Sequence, residues 1–101
     1  MKLMTKAIER KIPELYATED VALEDKVCVV KFFMPTGSWT WYAVEGQKQE
    51  DGDWLFFGQV VNGYGEKELG FFVLSELQSI KGPLGLGVER DLNYTGIKLK
   101  V

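Results

Sequence analysis

The segment VKFFMPTGSWTWYAVEG, residues 30–46, sets two apolar runs on either side of Pro35-Thr36-Gly37. Both runs are rich in the β-branched and aromatic residues that fit a pleated, half-buried surface, and the triplet between them is turn chemistry. The segment therefore reads as an antiparallel hairpin. Its first strand reaches back to Lys26 through KVCVV. In its second, Trp39, Trp41 and Ala43 share one face at period two, while Thr40, Tyr42 and Val44 share the other. Two tryptophans and a tyrosine within four positions pose the question that governs the rest: core, or binding platform.

Outward from the hairpin, the same texture continues. GQKQEDGD (46–53) is a polar loop with Asp51-Gly52 at its tip, WLFFGQVV (54–61) is a third strand, and Asn62-Gly63 opens a tight connection to EKELGFFVL (66–74). Four strands joined by short turns make a meander. Before it, Leu3, Ala7, Ile8 and Ile12 recur at helical intervals with Thr5 as N-cap, and Pro13 stops or bends that helix. ATEDVALED (17–25) lacks a period and reads as a loop. After the fourth strand, Ser75 and Gln78 have the capping-box spacing, and Gly82-Pro83 ends the helix they would start. VERDLNY and GIKLKV alternate and read as edge strands. The expected architecture is one α+β domain over residues 1–101: a twisted antiparallel meander of about four to six strands, with a short N-terminal helix and another after the fourth strand.

Composition narrows the function classes. Twelve basic and fifteen acidic residues leave a formal charge of −3, the wrong sign for a general nucleic-acid binder. The single cysteine, Cys28, lies among valines, so no internal disulfide forms, and this usage fits a reducing cytoplasm. No apolar run has the length of a signal peptide or a membrane span, and a membrane partner is not expected.

The chain has no histidine. That removes Ser-His-Asp and Cys-His catalysis, and one cysteine without histidine builds no structural zinc site. Gly63-Tyr64-Gly65 and Gly85-Leu86-Gly87 carry Glu68 and Arg90 where a dinucleotide fingerprint needs its third glycine. In a calcium loop aligned on Gly52, the closing glutamate would be Gly58. No cofactor, metal or catalytic residue is therefore assigned, and the chain is expected not to be an enzyme. Glu89, Arg90 and Asp91 stand in a row and read either as a structural ion-pair network or as a polar site in which Arg90 grips an anion. Paired with Glu45, one of those acids would give a carboxylate pair for hydrolysis, a second alternative.

The strands carry apolar residues on both faces: Val27, Val29 and Phe33 against Cys28, Val30 and Phe32, then Trp54 and Phe56 against Leu55 and Phe57. A sheet with one wet face would alternate cleanly. Two short helices do not cover such a sheet twice, so it is expected to curl toward a partial barrel and to leave a residual aromatic patch. The candidate interaction surface is Trp39, Trp41, Tyr42 and Glu45 with the Glu89-Arg90-Asp91 edge, offered to a protein partner or a second copy of the chain. The alternative partner is single-stranded nucleic acid. It needs Lys26, Lys31, Lys98 and Lys100 to gather, which requires the C-terminal strand to lie beside the first.

Trp39-Thr40-Trp41-Tyr42, Leu69-Gly70 with Phe72, and Gly82-Pro83-Leu84-Gly85-Leu86 followed by Glu89-Arg90-Asp91-Leu92 carry a family resemblance. With these pieces the chain resembles, over most of its length, the small bacterial proteins grouped as domain of unknown function 2958. The resemblance implies an accessory role on plasmids, conjugative elements and prophages, in transfer, maintenance or evasion of host defences. It implies no catalytic residue.

Overall fold

The computed structural model describes residues 1–94 and 96–100. Thr95, and Val101 at the end of the GIKLKV run, lie outside the described residues. Helix α1 (Lys6–Lys11) begins where the sequence places it, with the Thr5 hydroxyl accepting from the Ile8 amide at 3.3 Å. The run from Lys26 divides into β1 (Val27–Cys28) and β2 (Val30–Phe33). The meander continues with β3 (Thr40–Lys48), β4 (Trp54–Val61) and β5 (Lys67–Val73), followed by α2 (Leu74–Ser79). Two short strands complete the chain, β6 (Glu89–Arg90) and β7 (Ile97–Lys98).

Five strands form one antiparallel sheet in the order β5-β4-β3-β2-β6, and β1 pairs with β7 as a separate ribbon. The architecture is α+β with short helices, and the sheet does not close. The split at Val29 explains how both apolar faces are managed without closure. One continuous sequence run serves two sheets, and the ribbon it starts lies over the face that the helices do not cover. Both helices sit on the other face. There Leu3, Met4 and Ile12 from the N-terminal segment and Leu74 and Leu77 from α2 enclose Phe32, Trp41, Phe56 and Phe72. Phe56 stacks on Trp54 at a centroid distance of 6.1 Å and packs at a tilt on Phe72 at 5.4 Å. Beneath the ribbon, Cys28, Val44 and Leu99 make a smaller cluster with Tyr42 and Tyr94. Burial pushes the Cys28 thiol up, which contact with Tyr94 partly offsets.

A β-bulge in β3 decides where Glu45 points. Ala43 pairs with Gly58 and Glu45 with Phe57, leaving Val44 as the extra residue. Strict alternation would put Glu45 on the helix-covered face with Trp41 and Ala43. The bulge turns it instead to the face shared by Phe57 and Phe71, as bulges commonly re-aim a side chain. Gly58 permits this close passage: a Cβ there would stand 1.8 Å from the Tyr42 carbonyl oxygen.

The start of α2 differs from the capping-box expectation. Val73 occupies the cap position, and no side chain of its own turn caps the helix. Asp53, just before β4, takes that role from 22 positions away. It accepts from the Ser75 amide at 3.0 Å and the Ser75 hydroxyl at 2.5 Å. A charged acceptor at a helix start outcompetes the local serine because it satisfies the free amide and meets the positive end of the helix together.

Candidate binding surface

Beside the bulge, the segment after Pro13 folds over β3, β4 and β5 at Glu45, Phe57 and Phe71. Its anchor is the Glu45 carboxylate, which is only 4% exposed. One oxygen accepts from the Tyr16 amide at 2.8 Å, and the other accepts from the amide (3.1 Å) and hydroxyl of Thr18. The Thr18 hydroxyl in turn accepts from Lys26 Nζ at 2.9 Å, and Lys26 also reaches the Thr18 carbonyl at 2.5 Å. Tyr16 is thereby held at φ 69°. That left-handed conformation is unfavourable for a bulky residue and persists only where surrounding contacts impose it. Its ring packs on Phe71 at 6.4 Å, and Phe71 packs on Phe57 at 5.3 Å, both pairs tilted. Between them opens a cleft of about 160 Å³ with Glu45 at its base and Glu19 and Lys26 at its sides. Phe71 stays 52% exposed, and Tyr16 and Leu69 are exposed beside it.

The strand carrying Phe71 is also a free edge. β5 pairs with β4 without interruption from Leu55↔Val73 to Val61↔Lys67, and no described strand lies on its other side. It contains no proline and no bulge, two of the devices that usually blunt an edge. The opposite edge is different. β6 is two residues long, and the N-terminal segment straps it: Arg90 Nη1 donates to the Lys2 carbonyl at 2.7 Å and the Leu3 carbonyl at 3.3 Å.

This placement sorts the residues that the sequence nominates. Glu89 and Arg90 form β6 itself, and Asp91 meets Lys31 at 3.7 Å, so the row serves to order the chain's ends. Arg90 Nη1 is taken up by these backbone carbonyls. Trp41 is 5% exposed and belongs to the core, so the expectation that it lies on the surface is corrected. Trp39 remains 45% exposed and stacks on Trp41 at 6.0 Å. Tyr42 lies on the opposite face, half-buried against Tyr94. Glu45 is likewise buried, and it does not meet the acids of VERDL: they sit at the β6 edge, and it sits over β3 and β4. The geometry for a carboxylate pair is not formed.

The β1–β7 pairing does bring the C-terminal lysines beside the first strand, with Val27 opposite Lys98. Lys98, however, pairs with Asp25 at 3.1 Å, Lys31 with Asp91, and Lys26 with Thr18. Lys67, Lys98 and Lys100 line a shallow cleft of about 180 Å³ with Tyr42 and Gln59, on the face away from Trp39 and Trp41. The tryptophan pair and this lysine cluster thus fall on opposite sides of the sheet, and Tyr42 is the ring that the lysines accompany. Among the described residues no three potential ligands gather for a metal ion, and no helix is long and apolar enough to cross a membrane.

Sequence reasoning missed Tyr16, Phe57 and Phe71 as a group. The available signal was the doublet Phe71-Phe72 at a strand whose neighbours Lys67 and Glu68 are charged, a pattern of one buried and one exposed ring.

A model of the family described as "Protein of unknown function (DUF2958)" matches residues 3–99. The chain belongs to the DUF2958 family. The match includes the whole Glu45-anchored cleft and strand β6, while Lys2, which supplies part of the strap, precedes it. Among curated proteins and among solved structures, nothing matches the chain.

Proposed function

We propose that this DUF2958 protein is a non-catalytic accessory protein of a bacterial mobile genetic element, acting by protein–protein contact. It grips an extended segment of its partner along β5. One observation carries the reading: a seven-residue edge strand stands open, with Leu69 and Phe71 exposed next to Tyr16, while the other edge is closed. Strand addition to such an edge gives affinity through main-chain hydrogen bonds and specificity through pockets for alternate side chains. A partner strand suits this edge better than a second copy. Antiparallel self-pairing centred on Gly70 would set Lys67 opposite Val73 and Glu68 opposite Phe72, leaving the charges of both copies without opposites. The mobile-element setting rests on the resemblance carried by the Trp39–Tyr42 and Glu89–Leu92 motifs.

The test is affinity capture from a native bacterial host with wild-type bait and with a Leu69→Lys/Phe71→Lys bait. Lysines on an edge discourage strand addition. A specific protein recovered with the wild type and depleted at least about tenfold (~1.4 kcal/mol) with the variant is the expected result. Equal recovery with both baits would remove β5 from the reading. Recovery of oligonucleotide instead, in amounts falling steeply with salt, would favour the single-stranded nucleic-acid alternative, whose structural motive is the lysine-lined cleft at Tyr42.

A further inference from the structure

Resting on the reading that a partner strand adds to β5, we propose that the Tyr16–Phe57–Phe71 cleft receives a cationic side chain of that partner, arginine in preference to lysine. Size is the first reason. At about 160 Å³ the cleft falls below the roughly 300–1,000 Å³ of small-molecule sites, yet it holds a single side chain. Wall chemistry is the second. Phe57 and Phe71 meet at 58°, and Tyr16 and Phe71 at 56°, so the neighbouring rings are angled rather than stacked flat. Aromatic faces carry the negative part of the ring quadrupole and attract cations placed over them.

The base of the cleft supplies the third reason. Glu45 is a buried carboxylate whose hydrogen bonds come from two amides and a hydroxyl, and no described cation stands within 4 Å of it. A carboxylate has about four acceptor positions, so these three donors leave room for another. Lys26 touches Glu45 only through the Thr18 hydroxyl, and its ammonium is occupied by two Thr18 oxygens. With Glu19 at the side, two carboxylates face one ammonium, and the cleft is one negative charge in excess. Guanidinium fits better than ammonium: it is planar, stacks on rings, is weakly hydrated and donates in a fork. Because Phe71 is itself a β5 residue, a strand laid along β5 passes this opening.

The experiment titrates isotopically labelled full-length chain with N-acetyl-arginine amide and follows backbone amide signals. The citrulline counterpart, equal in shape and uncharged, and N-acetyl-glutamate amide serve as comparison probes. The expected result is saturable shifts at Tyr16, Thr18 and Phe71, with the arginine probe bound about five- to tenfold more tightly than the citrulline probe. Phe71→Ala should abolish the shifts. Glu19→Gln, at an exposed position outside the core, should weaken arginine binding about twofold without altering the fold. Equal response to arginine and citrulline, preference for the glutamate probe, or shifts scattered away from the cleft would each overturn the assignment. Any of those results would leave β5 docking standing, because β5 docking falls only if the Leu69→Lys/Phe71→Lys bait keeps its partner.

Discussion

The two faces of the sheet solve the same problem by different means. On one, two helices and the N-terminal segment seal rings from three strands around Phe56, which has no exposed surface. On the other, cover comes in two separate pieces: the β1–β7 ribbon, which turns Cys28 inward onto Val44, and the Glu45-anchored loop over Phe57. The first face is held mainly by apolar burial, which is indifferent to direction. The second depends on a few long-range hydrogen bonds that fix where a loop lies, and it leaves rings half in water. The larger share of apolar burial lies on one side, and Tyr16 and Phe71 stay exposed on the other; segments with fewer buried apolar contacts open at lower free energy.

The sharpest way to break this contrast is to truncate matched phenylalanines. Phe56→Ala should destabilise by about 3–5 kcal/mol through lost burial and a residual cavity. Phe71→Ala, half exposed, should lose only about 1 kcal/mol. Denaturant titration of both variants measures the difference, and equal losses would mean that the faces are equally packed. Next in size is Glu45→Ala. It leaves the amides of Tyr16 and Thr18 without their acceptor, at a cost of about 1–3 kcal/mol. Hydrogen exchange at those two amides should accelerate while Phe56 stays protected; unchanged exchange would show that the loop is held by something other than this carboxylate.

The smallest effect belongs to the Asp53–Ser75 contact on the helix side. The Ser75 hydroxyl above all, with the Ser75 and Trp54 amides, holds the Asp53 carboxyl below the usual carboxylate range. Its folded pKa therefore lies under its unfolded one. The stabilisation is fully present above the unfolded value and is lost as pH falls through the folded value. Asp53→Ala should lower the melting temperature at neutral pH, and the gap to wild type should close in acid. A gap that persists unchanged at low pH would assign the effect to packing rather than charge.

What the sequence revealed follows from range. β4 was legible to the residue because Asp53 and Asn62-Gly63 bracket a run that is apolar except at Gly58-Gln59, and α1 because Thr5 caps it locally. The break at Val29 was not legible, since KVCVVKFFM is uniformly strand-forming and only the identity of each half's partner divides it. The bulge at Val44 depends on Gly58 across the sheet. Asp53 displaced the local cap because it is a stronger acceptor brought near by the β4–β5 hairpin. At the candidate surface, the aromatic excess was visible in composition. Which rings stay outside was decided by Glu45 reaching back to Tyr16 and Thr18, a contact no period encodes. The charged row at Glu89-Arg90-Asp91 was visible too, but not its engagement with carbonyls of Lys2 and Leu3 at the far end of the chain.

The sealed position of Cys28 has a practical side. A thiol that is shielded from solvent and reluctant to ionise reacts slowly with alkylating reagents at neutral pH. It is also the only native one. A cysteine introduced at Leu69 would therefore be the single site open to labelling. A photoreactive tag placed there would report, without background from the native residue, whatever comes to rest along the open strand.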